Sequence, residues 1–421
     1  MLVLVPSLRA QEKSKTNPEY GLTVTLPSDT TKKDPEKGDP PKKTLQFSAY
    51  FNGQFQYAQK DVRRVSVGAP NENYGEKEFS RIGVRRAFFT TVFQTGIAKA
   101  YLTIEARDNQ RIWFSDAFIE LTDPWTKRFS LSVGGLNPNF GYELSVSPSM
   151  YELAEGTGFI YTLIPDIYDI GAQLSYNGPE SLGNLRVNLS MVGGNGLQAD
   201  NDSRRDFVGA VRASTNKKLP LRLSGGVSYY RGSMYQGTDR VLKMQGNKFV
   251  ADVNESHVGD YAKREYFNAH AQLAFNSPIG LTQLRSEYFF GTQPSAPDAF
   301  GIPIINYLPN YDTYIREFRS GYLYFLQQIG PKLPVTLWAG YSRHDPNKEV
   351  SKHEVGQNLT TEADLAYENA TFGLIWHPYP GVRVQSFYEM PFNEKSNSLT
   401  QLGYHQDKKD NVFTLRLQYK F

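Results

Sequence analysis

The sequence predicts an all-β protein, a transmembrane antiparallel β-barrel of about 16 strands with a loop that constricts its pore. Three observations predict it. From Leu45 onward, apolar and polar residues alternate with period two in segments of about ten residues separated by turn residues, as strands between lipid and water require. Tyr, Phe and Trp make up 14% of the chain, more than a soluble core needs, and aromatic girdles at two membrane interfaces would use them. No run of about 18 apolar residues occurs, so the chain does not cross a membrane as helices.

Composition narrows the chemistry. The 421 residues include no cysteine, which removes thiolate catalysis and cysteine-ligated metals and suits a chain that passes through an oxidising compartment without disulfides. Forty-six Lys and Arg against 43 Asp and Glu leave a net charge of +3, too balanced for a nucleic-acid footprint. Any charge-based function depends on local arrangement.

Residues 1–10 read as the remnant of a signal peptide, with an apolar run from Leu2 to Val5 and Ala10 before Gln11 as a cleavage point; a disordered soluble terminus is the other reading. Residues 11–43 are rich in Lys, Asp, Glu, Pro and Thr, as in Lys32-Lys33-Asp34-Pro35-Glu36-Lys37. Such a segment buries no core and reads as a disordered periplasmic lead-in. Residues 44–421 form the barrel.

Its first strand sets Leu45, Phe47, Ala49, Phe51, Gly53, Phe55 and Tyr57 outward and Gln46, Ser48, Asn52, Gln54 and Gln56 inward, interrupted by Tyr50. Ala98 to Arg107 and Arg128 to Val133 repeat the scheme, as do segments at Leu185, Leu221 and Val335. The last segment places Phe413, Leu415, Leu417, Tyr419 and Phe421 opposite Thr414, Arg416, Gln418 and Lys420. A terminal strand closing on Phe is the pattern favoured for insertion of bacterial barrels; an edge strand of a soluble sandwich would look similar. Such segments start near residues 45, 80, 98, 113, 128, 168, 184, 206, 220, 265, 281, 315, 333, 367, 381 and 411. Tight turns such as Asn177-Gly178-Pro179 and Ser277-Pro278-Ile279-Gly280 alternate with long polar stretches at 232–263, 291–314 and 345–364, matching periplasmic and extracellular ends.

Strand parity points Arg107, Arg128, Arg186, Arg222, Arg285, Arg319, Arg383, Arg416 and Lys99 into the lumen, where Glu105, Asp169, Glu287, Glu317 and Glu389 join them. These cations are the candidate pore-lining and anion-binding groups; salt bridges bracing the wall are the alternative role. A lumen of mixed sign selects weakly. Residues 136–167, punctuated by Pro138, Gly141, Pro148, Gly156, Gly158 and Pro165, form the candidate constriction loop, with Asn137, Pro138, Phe140, Gly141 and Glu143 at its start. The loop carries Glu143, Glu152, Glu155 and Asp166 and no Lys or Arg, so folded inward it faces the arginines and sets up a transverse field. An ordinary surface loop is the alternative.

Phe79-Ser80-Arg81-Ile82-Gly83-Val84-Arg85-Arg86-Ala87, then Asp108, then Asp116-Ala117-Phe118-Ile119, then Gly134-Gly135-Leu136-Asn137-Pro138-Asn139-Phe140-Gly141-Tyr142-Glu143 resemble the phosphate-selective porin O and P family. In that family an Arg-Arg-Ala strand start, an Asp-Ala-aromatic strand and a Gly-rich Pro-Phe-Gly segment follow in this order. The resemblance implies a 16-stranded barrel, usually a homotrimer, with a loop folded into the pore and phosphate among the solutes. Two positions depart from it: Asn139 separates Pro138 from Phe140, and Asn137 stands at the approximate place of a Lys.

Catalysis is not expected. His257, His270, His344, His353, His377 and His405 lack the spacing of a zinc site, and no serine beside the lumen-facing His270 forms a recognisable motif. Gly193-Gly194-Asn195-Gly196 follows a strand and precedes no helix, so it reads as a loop and not a phosphate cradle. The expected function is passive diffusion of small hydrophilic solutes and ions through the bacterial outer membrane, weakly anion-selective, with no cofactor and with lipid and small anions or phosphate as partners. The alternative is a scaffold barrel plugged by its own loops, which conductance separates from an open pore.

Overall fold

A computed structural model describes residues 22–26, 43–62, 78–107, 111–164, 166–215, 219–301, 308–330 and 334–421. Residues 1–10, most of the 11–43 lead-in, Asp108 and Pro165 lie outside the described residues.

Among the described residues the strands are β1 (Leu22–Leu26), β2 (Lys43–Ala58), β3 (Phe79–Thr95), β4 (Ala98–Arg107), β5 (Arg111–Thr122), β6 (Phe129–Leu136) and β7 (Asp169–Asn177). They continue with β8 (Arg186–Val192), β9 (Asp206–Ser214), β10 (Leu221–Tyr235), β11 (Arg240–Gln245), β12 (Lys248–Val253) and β13 (Tyr261–Ser277). The last are β14 (Gly280–Ser295), β15 (Thr313–Gln328), β16 (Val335–Asp345), β17 (Tyr367–Tyr379), β18 (Val382–Asn393) and β19 (Val412–Lys420). Sixteen of them, β2 to β10 and β13 to β19, form a closed antiparallel barrel in sequence order. The seam joins β19 to β2 from Val412↔Ala58 to Lys420↔Tyr50, and Phe421 exchanges backbone hydrogen bonds of 3.0 and 3.1 Å with Ala49. Closure leaves none of the paired backbone groups at an open edge, as a lipid environment demands.

The outer face explains the alternation. Phe51, Leu102, Ile119, Leu131, Leu189, Leu223, Phe325, Leu374 and Leu417 are exposed on it, while Asn52, Gln54, Thr103, Ser132, Ser190 and Arg416 from the same strands are buried inside. A continuous apolar belt around a closed barrel has lipid as its solvent, and an even-stranded barrel of this kind is the architecture of the bacterial outer membrane. Tyr50 belongs to the inward row and stacks on Phe88 at 4.6 Å, so the strand has no irregularity there.

Turns at one end are tight. Gly96, with φ of +55°, lets β3 reverse into β4 within two residues. At the β5–β6 turn Asp123 accepts hydrogen bonds from the backbone N–H of Trp125, Thr126, Arg128 and Phe129. This end is periplasmic and the long-loop end extracellular.

Two elements depart from the sequence expectation. Within the lead-in expected to be disordered, Leu22–Leu26 forms β1, antiparallel to Lys43–Phe47 of β2, beyond the point where β19 ends. Leu22-Thr23-Val24-Thr25-Leu26 is itself a period-two β-branched segment, hidden in a charged, Pro-rich stretch. The polar stretch 232–263 contains the hairpin β11–β12, whose first strand runs parallel to the start of β15 through Val241↔Thr313 to Lys243↔Ile315. Together with the loops at 346–366 and 394–411 the hairpin makes a packed cap over the extracellular rim. Leu242, Phe249 and Tyr314 form one of its apolar clusters, and Val350, Val355, Leu365, Leu399 and Tyr404 form another.

Candidate functional site: the inward loop and the lumen wall

The inner wall has two halves. On β4 to β8 it is polar, with Thr103, Glu105, Ser115, Glu120, Ser132 and Gln173 buried on it. On β10, β13 to β16 and β18 the inward rows carry a cluster of aromatic side chains, Tyr230, Tyr266, Phe289, Phe318, Tyr322, Tyr324, Trp338 and Phe387, among polar and charged ones. Residues 137–164 fold into the barrel because their own apolar side chains, Phe140, Leu144, Leu153, Phe159, Ile160, Leu163 and Ile164, complete a core with that aromatic half. Phe140 sits among Tyr230, Tyr266 and Phe289, with ring centroids 5.7 to 6.1 Å apart.

Polar contacts fix the register of the loop. The wall carboxylate Glu287 accepts from the backbone N–H of Tyr142 at 2.5 Å and of Glu143 at 3.2 Å, capping the 3-10 turn Glu143–Ser145, and also accepts from Tyr322 and Asn268. Gly141, with φ of +68°, brings the chain against Glu287; a Cβ there would lie 2.5 Å from the carboxylate. Arg212 donates to the Asn139 and Gly141 carbonyls at 2.7 and 2.6 Å, and Arg264 to the Leu163 carbonyl at 2.6 Å. Asn137 is held through its carbonyl by Gln173 at 3.1 Å, and the Pro138 carbonyl accepts from Ser190 at 3.2 Å. The middle of the loop is anchored by charge. Arg285 makes a bidentate contact to Glu152 at 2.6 and 3.1 Å, and Glu155 lies between Arg85, Arg86 and Arg416. Burial opposes the ionised form of Glu155, but Arg85, Arg416 and Arg86 hold its carboxyl well below the usual range.

Glu143 behaves in the opposite sense. Burial pushes it up to about 7, hydrogen bonds from Thr157 offset part of the rise, and Glu287 adds to it. Between the ordinary value of 4.5 and about 7 the folded loop holds a proton that the unfolded chain has released. The associated stability is therefore complete below the lower value and is lost as pH rises through the upper one. The melting temperature of the wild type is expected to fall from pH 5 to pH 8 by more than that of Glu143→Gln, measured by circular dichroism in one detergent.

The candidate lumen cations separate into groups. Arg285 and Arg416 are buried and bound to the loop. Arg107 pairs with Glu105 on its own strand and Lys99 with Glu120 at 3.2 Å. Arg383 donates to Gln385 and Gln418 at 3.3 and 3.1 Å. Arg186 and Arg222 are half-buried near the periplasmic end, and Arg128 stands at the turn entering β6. Arg319 is different. Along β15 the buried row is Arg316, Phe318, Ser320, Tyr322 and Tyr324, so Arg319 and Glu317 lie on the outer face, where Arg319 meets Asp345 at 3.0 Å. Assigning parity one residue off flips every side chain of a strand. Nor do Glu152 and Glu155 stand across a gap from the wall arginines, as a transverse field would have them; they touch them.

Sequence reasoning also missed Arg212, Arg264 and Arg316 as inward groups and Arg85 and Arg86 as wall cations. A β-bulge explains the last two. The pairing of β2 with β3 slips between Asn52 and Gly53, which makes Arg85 an extra residue and turns two consecutive arginines into the barrel. The available signal for the loop seat was the aromatic inward row of β13 to β16, since a freely wet lumen has no use for it. Among the described residues no group of three or more His, Asp or Glu is placed to hold a metal ion.

No family model matches the chain, and no curated protein matches it. Solved structures do. OprB of Pseudomonas putida superposes with a TM-score of 0.59 at 12% identity, over 90% of this chain and 94% of that one. The anion-selective porin from Comamonas acidovorans gives 0.52 at 12%, over 90% and 100%. The outer membrane channel DcaP of Acinetobacter baumannii gives 0.51 at 13%, over 90% and 97%. At such identities the likeness is one of fold: this chain has the fold of the 16-stranded porin barrels.

Proposed function

We propose that this chain is an outer-membrane channel for passive diffusion of small hydrophilic solutes and ions, weakly selective for anions, with phosphate among them. The observation that carries the reading is the two-sided lumen of the closed barrel, in which an apolar half seats the loop while the wall of β4 to β8 is polar and Arg107 and Arg383 are partly exposed inside. The ordered sequence motifs at Arg85-Arg86-Ala87 and Pro138 to Gly141 support phosphate among the solutes. A homotrimer belongs to this reading as the assembly that the sequence resemblance implies.

Reversal potential under a salt gradient tests the anion preference. Arg107→Glu and Arg383→Glu are expected to move it toward cations, whereas Arg319→Glu, on the outer face, leaves it unchanged. An equal shift in all three would remove the assignment. A second reading, a scaffold barrel plugged by its own loop, is favoured by the many bonds from residues 137–164 to strands on every side. Such a barrel would pass almost no current.

A further inference from the structure

The best-built polar site in the lumen is already occupied, by a side chain of the protein itself. Arg85 Nε lies 3.1 and 3.0 Å from Glu155 Oε1 and Oε2, and Arg85 Nη2 lies 2.8 Å from Oε2. Arg416 Nη2 donates to Oε1, and Arg86 Nη2 stands 3.9 Å from Oε2. The two carboxylate oxygens thus take donors from Arg85 and Arg416, the planar fork geometry that suits a carboxylate. The arginine side chains are 10, 6 and 3% exposed for Arg85, Arg86 and Arg416, while Glu155 is 23% exposed. Glu155 is thus the most exposed member of the cluster.

Two further features mark this as a site and not a simple brace. Three arginines converge on Glu155, with the carboxyl groups of Glu105 near Arg86 and Glu389 near Arg416, and Arg86 Nη1 is buried without a hydrogen-bond partner among the described residues. Arg416 is held independently of Glu155, by Gln54 Oε1 at 2.8 Å from its Nε and by the Ala154 carbonyl. The β-bulge that doubles Arg85 and Arg86 on the inner face is backbone geometry, and it too owes nothing to Glu155.

We propose that Arg85, Arg86 and Arg416 form a binding site for small carboxylate solutes, and that Glu155 is a tethered occupant which such a solute displaces from the loop side. The proposal rests on the channel reading for its role in permeation, though not for binding. A tethered ligand competes as an effective concentration in the millimolar range or above, so its removal sharpens affinity for a free one.

Propionate, the free equivalent of the glutamate side chain, is the probe. Chloride current through single channels and the melting temperature in detergent are recorded for wild type, Glu155→Ala, the Glu155→Ala variant with Arg85→Gln or Arg416→Gln added, and Arg319→Gln. Propionate is expected to reduce the current through Glu155→Ala, and to raise its melting temperature, at concentrations about tenfold lower than for wild type. Both responses vanish when either arginine is also removed, and Arg319→Gln behaves as wild type. A folded, conducting Glu155→Ala indifferent to propionate in both measurements overturns the proposal, and an equal response to inorganic phosphate overturns its carboxylate class. Should folded wild type pass no current while propionate still raises the melting temperature of Glu155→Ala, the binding site stands and the channel reading falls.

Discussion

Replacing residues 138–163 by a short Gly-Ser linker is expected to raise the unitary conductance several-fold. The segment crosses the lumen: its start is tied to β8, β9 and β14, its middle to β3, β18 and β19, and its end to β13. Removing it widens the narrowest section to the bore of a 16-stranded barrel, which is wide enough for an aqueous channel. The barrel itself should persist, because its strand-to-strand hydrogen bonds do not involve the loop. Its melting temperature should nonetheless drop, since Tyr230, Tyr266, Phe289 and Trp338 lose their apolar cover. An unchanged conductance from folded protein would mean that the loop does not set the bore.

The second large effect is expected in the cap. Arg316 and Asp364 are both fully buried; Arg316 Nε donates to Asp364 Oδ1 at 2.8 Å, and its Nη atoms reach Ser295 Oγ and the carbonyls of Ala296 and Pro297 at 2.6 to 2.9 Å. Asp364 in turn accepts from Asn347 at 2.8 Å and from the Thr361 N–H at 2.7 Å. The pair joins β15 to two extracellular loops beneath the β11–β12 hairpin, with Phe249 and Tyr314 close to the guanidinium. Asp364→Ala leaves a buried cation unmatched, at a cost of about 3–5 kcal/mol to the cap. Limited proteolysis should then cut within 346–366 while the barrel remains intact. The double change Arg316→Met with Asp364→Leu should restore most of the resistance, because removing both charges also removes the unmatched one.

The strands were legible in the sequence because lipid outside and water inside impose a strict period of two, and each of the 16 expected segments coincides with a barrel strand. The inward course of the loop was legible from its length, its Gly and Pro residues and its acids. What lay beyond reach depended on geometry that alternation does not encode. A single-residue bulge at Asn52 and Gly53 decides that both Arg85 and Arg86 face inward. A slip of one residue sends Arg319 outside and Arg316 inside. The hairpin at 240–253 was hidden because Val241 and Leu242 are buried side by side against other loops, which breaks the two-faced pattern.

The central claim, that this barrel is an open and anion-leaning pore beside a seated loop, is tested most directly by single-channel recording of the folded wild type in a planar bilayer under a chloride gradient. Discrete current steps with a reversal potential on the anion side are the predicted result. Silence from protein shown to be folded and inserted would contradict it and leave a plugged scaffold.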